Sequence, residues 1–197
     1  MLHDRKNIMV ILSSPSGVGK TTITKKIQQK YNTFKISVSH TTRKPRSNEV
    51  DGVDYFFTSE NDFENLIKKK EFYEYAQIFE NFYGTSKKIV DKTLKENDII
   101  FDIDWQGTKQ LSNFKDLNLI KIFLVTSKKE DLKDRLLNRN QDSPDQLDKR
   151  LKAFDEDIKH WKDYDYIVIN QSLENCFKQI EKIILSHKET KMTQIVL

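Results

Sequence analysis

The sequence predicts an α/β fold in which helices flank a parallel sheet, and three observations carry that expectation. Four short apolar runs, at residues 8–12, 99–103, 120–125 and 166–169, have the length and unbroken hydrophobicity of strands buried on both faces. Helical patterns separate several of these runs. A glycine-bearing loop, Ser14-Pro15-Ser16-Gly17-Val18-Gly19-Lys20-Thr21, joins the first run to a helix at 21–30.

The loop has a chemistry of its own. Gly17 and Gly19 let backbone N–H groups come close to phosphate oxygens, with Ser16, Val18 and Thr22 in the same cradle. Lys20 adds a positive charge for β- and γ-phosphates, and the Thr21 hydroxyl suits Mg²⁺. The helix that follows offers the positive end of its dipole. Ser14 stands where the pattern G-x-x-x-x-G-K-[ST] has its first glycine; a small residue is kept, and we read a tolerated variant.

Further along, 34–39 is a weaker strand with Phe34, Ile36 and Val38 on one face. Residues 40–97 leave the simple alternation. They hold a short strand at 53–58 and a helix opened by the capping box Ser59-Glu60-Asn61-Asp62, packing through Phe63, Leu66 and Ile67. An aromatic strand at 72–79 and a turn at Tyr83-Gly84-Thr85 follow, so this stretch reads as a small mixed insertion between core strands. A second, mostly helical excursion at 128–151 breaks at Asp142-Ser143-Pro144-Asp145. Near the end, Leu173, Cys176, Phe177, Ile180, Ile183 and Ile184 form one helical stripe, read as core packing.

Bulk properties narrow the classes. The chain has 197 residues, about one domain, and a net charge of +4. Lysines are scattered among acids, which suits anionic small molecules and argues against nucleic acid. A single cysteine, Cys176, excludes an internal disulfide and reads as a packed thiol. No run has the length of a membrane helix or a signal segment. The expectation is a soluble cytoplasmic protein of undetermined oligomeric state.

Several constellations point to phosphoryl chemistry. Asp102 and Asp104 end a buried strand, and Asp102 suits the acid that holds Mg²⁺ through water, opposite Thr21. Arg135 and Arg139 lie four apart on one helix face; surface pairing with Asp131 is the alternative, which a nearby phosphate loop disfavours. Arg150 is placed to reach the same phosphates. The segment from Ser39 to Arg46 is basic and rich in hydroxyls, with Arg43 and Arg46 flanking a proline, and suits a second phosphate site. His40 has no ligand-type neighbour and is read as structural. Glu74 shares a strand face with Phe72, Ala76 and Ile78. Its carboxylate matches the paired N1–H and N2 amine of guanine, with Tyr55, Tyr83 and Thr85 completing a pocket; a salt bridge to a lysine is the alternative.

In order along nearly the whole chain, these motifs resemble the guanylate kinase family. The matching stretches are 13–22, 37–50, Glu74-Tyr75-Ala76, 81–85, 102–107, and 135–150 with Asp142-Ser143. The resemblance implies a P-loop NTPase core (1–38, 98–127 and 152–197), a GMP-binding subdomain (39–97) and a lid (128–151). It implies that Arg43, Arg46, Tyr55 and Tyr83 hold the GMP phosphate, while Ser39, Glu74, Thr85 and Asp104 read guanine. Lys20, Arg43, Arg139 and Arg150 would act in catalysis, Arg135 on ATP, and Asn170 at adenine. Phe82 stands where a tyrosine is frequent in the family, which leaves Tyr83 as the hydroxyl. The implied reaction moves the γ-phosphate of ATP to GMP, with dGMP a candidate second acceptor, using Mg²⁺, in purine metabolism. Two rivals stand beside it: a monophosphate kinase for another base, and a non-catalytic module of this shape that binds phosphopeptides.

Overall fold

The computed structural model describes residues 7–126 and 144–194, with side chains for all of these except 144–148, 150 and 190–194. Its centre is a five-stranded, wholly parallel sheet. In chain order the strands are β1 (Met9–Ser13), β2 (Phe34–Ile36), β7 (Asp98–Asp102), β8 (Leu119–Val125) and β9 (Tyr166–Ile169), arranged β2-β7-β1-β8-β9. All four apolar runs are therefore strands, and 34–39 contributes a three-residue edge strand rather than six residues.

β1 lies in the middle, and all five of its residues are buried. Its side chains alternate between two cores. Val10 and Leu12 face helices α1 (Lys20–Lys30) and α6 (Leu173–Gln194), meeting Ile23, Ile27, Cys176, Phe177, Ile180 and Ile184. Met9 and Ile11 face the other side, with Val90 of α3 (Lys87–Thr93) and Leu111 of α4 (Trp105–Leu111). A run buried on both faces has no polar side to alternate with, which is why the sequence shows unbroken hydrophobicity there. The C-terminal stripe packs as expected except at Leu173, which opens α6 and is exposed.

The second sheet is mixed. It has the order β4-β3-β6-β5, from β3 (His40–Thr41), β4 (Phe56–Phe57), β5 (Phe72–Ile78) and β6 (Asn81–Ser86). Helix α2 (Glu60–Lys68) covers it, with the Ser59 hydroxyl capping the Asp62 N–H as the capping box predicts. Phe63 of α2 meets the rings of Phe72 and Phe82 at 4.8 and 5.6 Å.

Two expectations are corrected here. Tyr83-Gly84-Thr85 is not a turn but the middle of β6, paired with Ala76, Tyr75 and Glu74. The chain reverses one step earlier, at Phe79-Glu80, where Phe79 takes a positive φ of 55°, a conformation expected of glycine. The strand expected at 53–58 shrinks to Phe56–Phe57, because Val53 belongs to a turn bonded to Val50.

Helix α5 (Pro144–Asp157), a 3₁₀ turn (Ile158–Asp163), β9 and α6 form the carboxyl-terminal part of the described chain.

Candidate active site

Parallel strands deliver their carboxyl ends to one edge, and the crevice there is where such folds bind ligands. Leu12 of β1 lies beside Asp102 of β7, so the loop after β1 meets the last residue of β7. Gly17 and Gly19 have φ of 88° and 107°, in the left-handed region, and Gly19 caps α1. A β-carbon on Gly19 would also sit 2.9 Å from Nδ2 of Asn170. That amide donates to the Val18 carbonyl at 2.7 Å, fastening the loop to the end of β9 from a buried position. Ser14 has no positive φ, so a glycine is not required there, and its hydroxyl donates to the Pro15 carbonyl.

Lys20 Nζ lies 3.0 Å from Asp102 Oδ1 and donates to the Ile103 carbonyl. Thr21 donates to Asp102 Oδ2 at 2.9 Å. Burial works against the Lys20 ammonium, but Asp102, with Asp104 beyond it, outweighs that and raises its pKa. Thr21 and Asp102 thus converge as hard oxygen donors beside the loop, a donor set that fits Mg²⁺.

Across the cleft lies a second basic group. The Arg43 guanidinium sits over the rings of Tyr55 and Phe57, with Cζ 5.3 and 5.9 Å from their centres. Tyr55 and Tyr83 meet edge to face at 5.9 Å, and burial pushes the Tyr55 hydroxyl up to about 12. Glu74 is 4% exposed and accepts from the hydroxyl of Thr85, its ladder partner on β6, at 2.5 Å. Burial raises its pKa to about 7, the Thr85 bond opposing and Asp104 adding to the shift. It forms no lysine salt bridge among the described residues, so the lysine alternative is set aside.

Lys20, Thr21, Ser39, Arg43, Arg46, Tyr55, Glu74, Tyr83, Asp102 and Asp104 all line one cleft of about 860 Å³, together with Ser16, Gly17 and Gly19. Thr85 stands behind Glu74 and Val18 is wholly buried, while Thr22 is exposed on α1. Asp104 also caps α4, accepting from the Gly107 N–H and from Gln106. Arg135 and Arg139 lie outside the described residues, and Arg150 lies in α5 without a described side chain. His40 stacks on Phe56 at 4.9 Å, away from this cleft, and burial lowers its pKa.

A family model described as guanylate kinase matches residues 6–187. The chain belongs to the guanylate kinase family. It is 43% identical over 185 residues to the guanylate kinase of Clostridioides difficile (strain 630), covering 93% of this chain and 90% of that one. It is 39% identical over 194 residues to the guanylate kinase of Paramagnetospirillum magneticum, covering 98% and 91%. The crystal structure of guanylate kinase from Anaplasma phagocytophilum superposes with a TM-score of 0.76 at 30% identity, over 92% of this chain and 86% of that one. Family membership therefore agrees with the sequence resemblance, and so does the parallel-sheet fold.

Within this guanylate kinase fold, the structure brings to the cleft and its margin three further residues that sequence reasoning passed over. Glu49 chelates Arg43. Asp157, at the end of α5, lines the cleft, and burial, with Asp104, raises its pKa to about 6. Trp105 stacks on His160 at 3.7 Å, joining α4 to the turn after α5. Only Glu49 had a local signal: an acid three residues after Arg46 in an otherwise basic stretch. Asp157 and the partner of Trp105, His160, depend on α5 and the 3₁₀ turn folding back over α4, which no spacing announces.

Proposed function

We propose that this chain transfers the γ-phosphoryl group of ATP to the phosphate of GMP in a single in-line step. A guanylate kinase family model matching almost the whole chain supports an enzyme of this class. The observation that supports the residue assignments is one cleft lined by the glycine-bearing loop with Lys20, by Arg43 and Arg46, and by the buried carboxylate of Glu74.

The donor site is the loop 16–22 with Lys20, and Asn170 at its adenine end. Thr21 directly, and Asp102 through water, would hold Mg²⁺, which when bound offsets charge on the β- and γ-phosphates. The acceptor site is formed by Arg43, Arg46, Tyr55 and Tyr83 for the phosphate, with Ser39, Glu74, Thr85 and Asp104 for guanine. An oxygen of the GMP phosphate attacks the γ-phosphorus while the bond to the β-phosphate oxygen breaks, and ADP leaves with that electron pair. The attacking phosphate is already ionised near neutral pH, so no general base is required. The protein's part is alignment and charge neutralisation by Lys20, Arg43 and the arginines Arg135, Arg139 and Arg150. We take 39–97 as the acceptor subdomain and 128–151 as a lid that excludes water on closing.

No helix among the described residues is long and apolar enough to cross a membrane. A lone, fully buried cysteine suits a cytoplasmic setting.

The test is ADP release with GMP, dGMP, AMP, UMP and dTMP as acceptors, with Lys20→Ala as control. Turnover with GMP that is lost in the control supports the reading. Faster turnover with AMP or a pyrimidine nucleotide would reassign the base pocket, and no turnover with any acceptor would remove the reaction.

A further inference from the structure

Glu49 lies in the loop between β3 and β4, and its carboxylate is wholly engaged. Both oxygens accept from Nη2 of Arg43, at 2.8 and 2.9 Å. Oε2 also accepts the backbone N–H of Arg46 at 2.8 Å, and Oε1 lies 3.7 Å from the Arg46 guanidinium. The Glu49 N–H donates to the Arg46 carbonyl, which closes the turn carrying all of these groups.

We propose that Glu49 is a positioning residue for the acceptor phosphate, acting through Arg43 and Arg46; this rests on reading those two arginines as the acceptor-phosphate site. Three features support it.

The first is exposure. The Glu49 and Arg43 side chains are 14% and 17% exposed, so their contact is not a loose surface pair. Burial would raise the Glu49 pKa, but the bonds from Arg43 and the Arg46 backbone outweigh it and hold the carboxyl below its usual range. The acid is ionised at neutral pH.

The second is direction. Nη2 is committed to Glu49, Nη1 donates to the Lys44 carbonyl at 2.8 Å, and the guanidinium face rests on Tyr55. The plane of the group is set on three sides. Tyr83 interacts with the same guanidinium, and Arg43 lines the cleft. Fixing a fork-shaped donor in advance avoids ordering it at the moment of binding.

The third is charge. Two guanidinium groups that converge on one phosphate repel each other, and a carboxylate between them lowers that repulsion. The cluster of Arg43, Arg46 and Glu49 carries a net single positive charge in place of two. A lysine-rich protein has many cations that would attract a phosphate, and none of the others described is held bidentately by an acid that also clamps a neighbouring arginine's backbone.

The experiment compares the full chain with Glu49→Gln, Glu49→Asp, Arg43→Ala and the Arg43→Ala/Glu49→Gln double variant, by steady-state kinetics in both substrates. Glu49→Gln keeps size but loses the charge, and is expected to raise KM for GMP about tenfold, as for a buried charged hydrogen bond removed from one side. At saturating GMP, kcat is expected to stay within about threefold and KM for ATP to be unchanged, a split that general loosening does not produce. Glu49→Asp is expected to fall between the wild type and Glu49→Gln. In the Arg43→Ala background the Glu49→Gln effect is expected to shrink to about threefold or less, because the two act as one unit.

An unchanged or lowered KM for GMP in Glu49→Gln, with Arg43→Ala still raising it, overturns the role of Glu49 and leaves the acceptor site standing. An unchanged KM in Arg43→Ala overturns the acceptor-site reading itself. Parallel losses in kcat and in both KM values overturn the positioning role in favour of a structural one. If Glu49→Gln does not fold, Glu49→Asp decides: a wild-type KM for GMP there overturns the proposal.

Discussion

A β-carbon on Gly107 would lie 2.5 Å from Oε2 of Glu74. Helix α4 therefore approaches β5 through a residue with no side chain, and the buried carboxylate rests in the space this leaves. Gly107→Ala is expected to push Glu74 out of place. KM for GMP should rise by about tenfold, since a misaligned buried acceptor costs about 1–3 kcal/mol. Stability should change less, because alanine is favoured over glycine within a helix by about 1 kcal/mol. Kinetics in GMP beside a thermal melt check both, and an unaltered KM would mean that the carboxylate does not read the base.

With Glu74 in its proposed role, its raised pKa is expected to make guanine binding depend on pH. Its carboxyl titrates near 7 rather than at the ordinary 4.5, chiefly because it is buried. Only the ionised form accepts two guanine N–H groups, so GMP binding is expected to expel a proton below about pH 7 and to weaken by up to about tenfold per unit of acidification. The stability effect has the opposite sense. The folded carboxyl holds its proton more tightly than the unfolded one, so its contribution is full below about 4.5 and is lost as pH rises through about 7. Titrating KM for GMP from about pH 5.5 to about 8 in the wild type and in Glu74→Gln separates this from ionisation of the phosphate itself. Parallel profiles would show that Glu74 does not titrate in this range.

Asp102 touches both Lys20 and Thr21, so its removal is expected to disturb the metal more than the nucleotides. Asp102→Asn should raise the Mg²⁺ concentration for half-maximal turnover by about tenfold or more, with KM for GMP nearly constant. Turnover measured against free Mg²⁺ at saturating nucleotides gives the answer. A curve that overlies the wild type would remove Asp102 from the metal site.

Arg139 is expected to act on the migrating phosphoryl group. Arg139→Ala should lower kcat by about a hundredfold or more, the scale of a catalytic arginine in phosphoryl transfer, while KM for GMP moves by less than about threefold. An unchanged kcat would take it out of the reaction.

Asp98 offers a check on the core. It is 2% exposed, accepts the Ile8 N–H at 2.9 Å and pairs with Lys188, tying β1 and β7 to α6. Asp98→Ala leaves that N–H without an acceptor and the half-buried Lys188 ammonium without its carboxylate, and is expected to cost about 3 kcal/mol in urea unfolding. Both KM values should hold, since the contact lies at the amino-terminal end of the strands, opposite the cleft.

The parallel sheet was legible in the sequence because strands buried on both faces must be apolar throughout, as β1, β7 and β8 are; β9, at the sheet edge, is as apolar although Ile167 and Ile169 are exposed, so burial on both faces does not account for it. The phosphate loop was legible because its glycines sit at positive φ, which few other residues tolerate. The β5–β6 hairpin was misread because Phe79, a poor turn former, carries the positive φ while Gly84 sits inside a strand. Gly84 is there because the rings of Phe63 and Phe72 would stand 3.0 and 3.2 Å from any β-carbon. Glu49 was passed over as one more loop acid, since its value lies in the partners that the loop folds around it. Asp157 comes to the cleft through long-range packing, whereas Trp105 follows Asp104 directly and only its stack on His160 is long-range.

The contact between Gln110 and Tyr75 bears on how the chain is made. The side-chain amide of Gln110 on α4 donates to the Tyr75 carbonyl and accepts its N–H, standing in for a neighbouring strand along the outer edge of β5. The two residues are 35 positions apart in sequence. During synthesis the hairpin leaves the ribosome first, with that edge open to pairing with any other extended chain until α4 follows. Gln110→Ala should therefore show itself less in the finished enzyme than in the soluble yield of newly made protein.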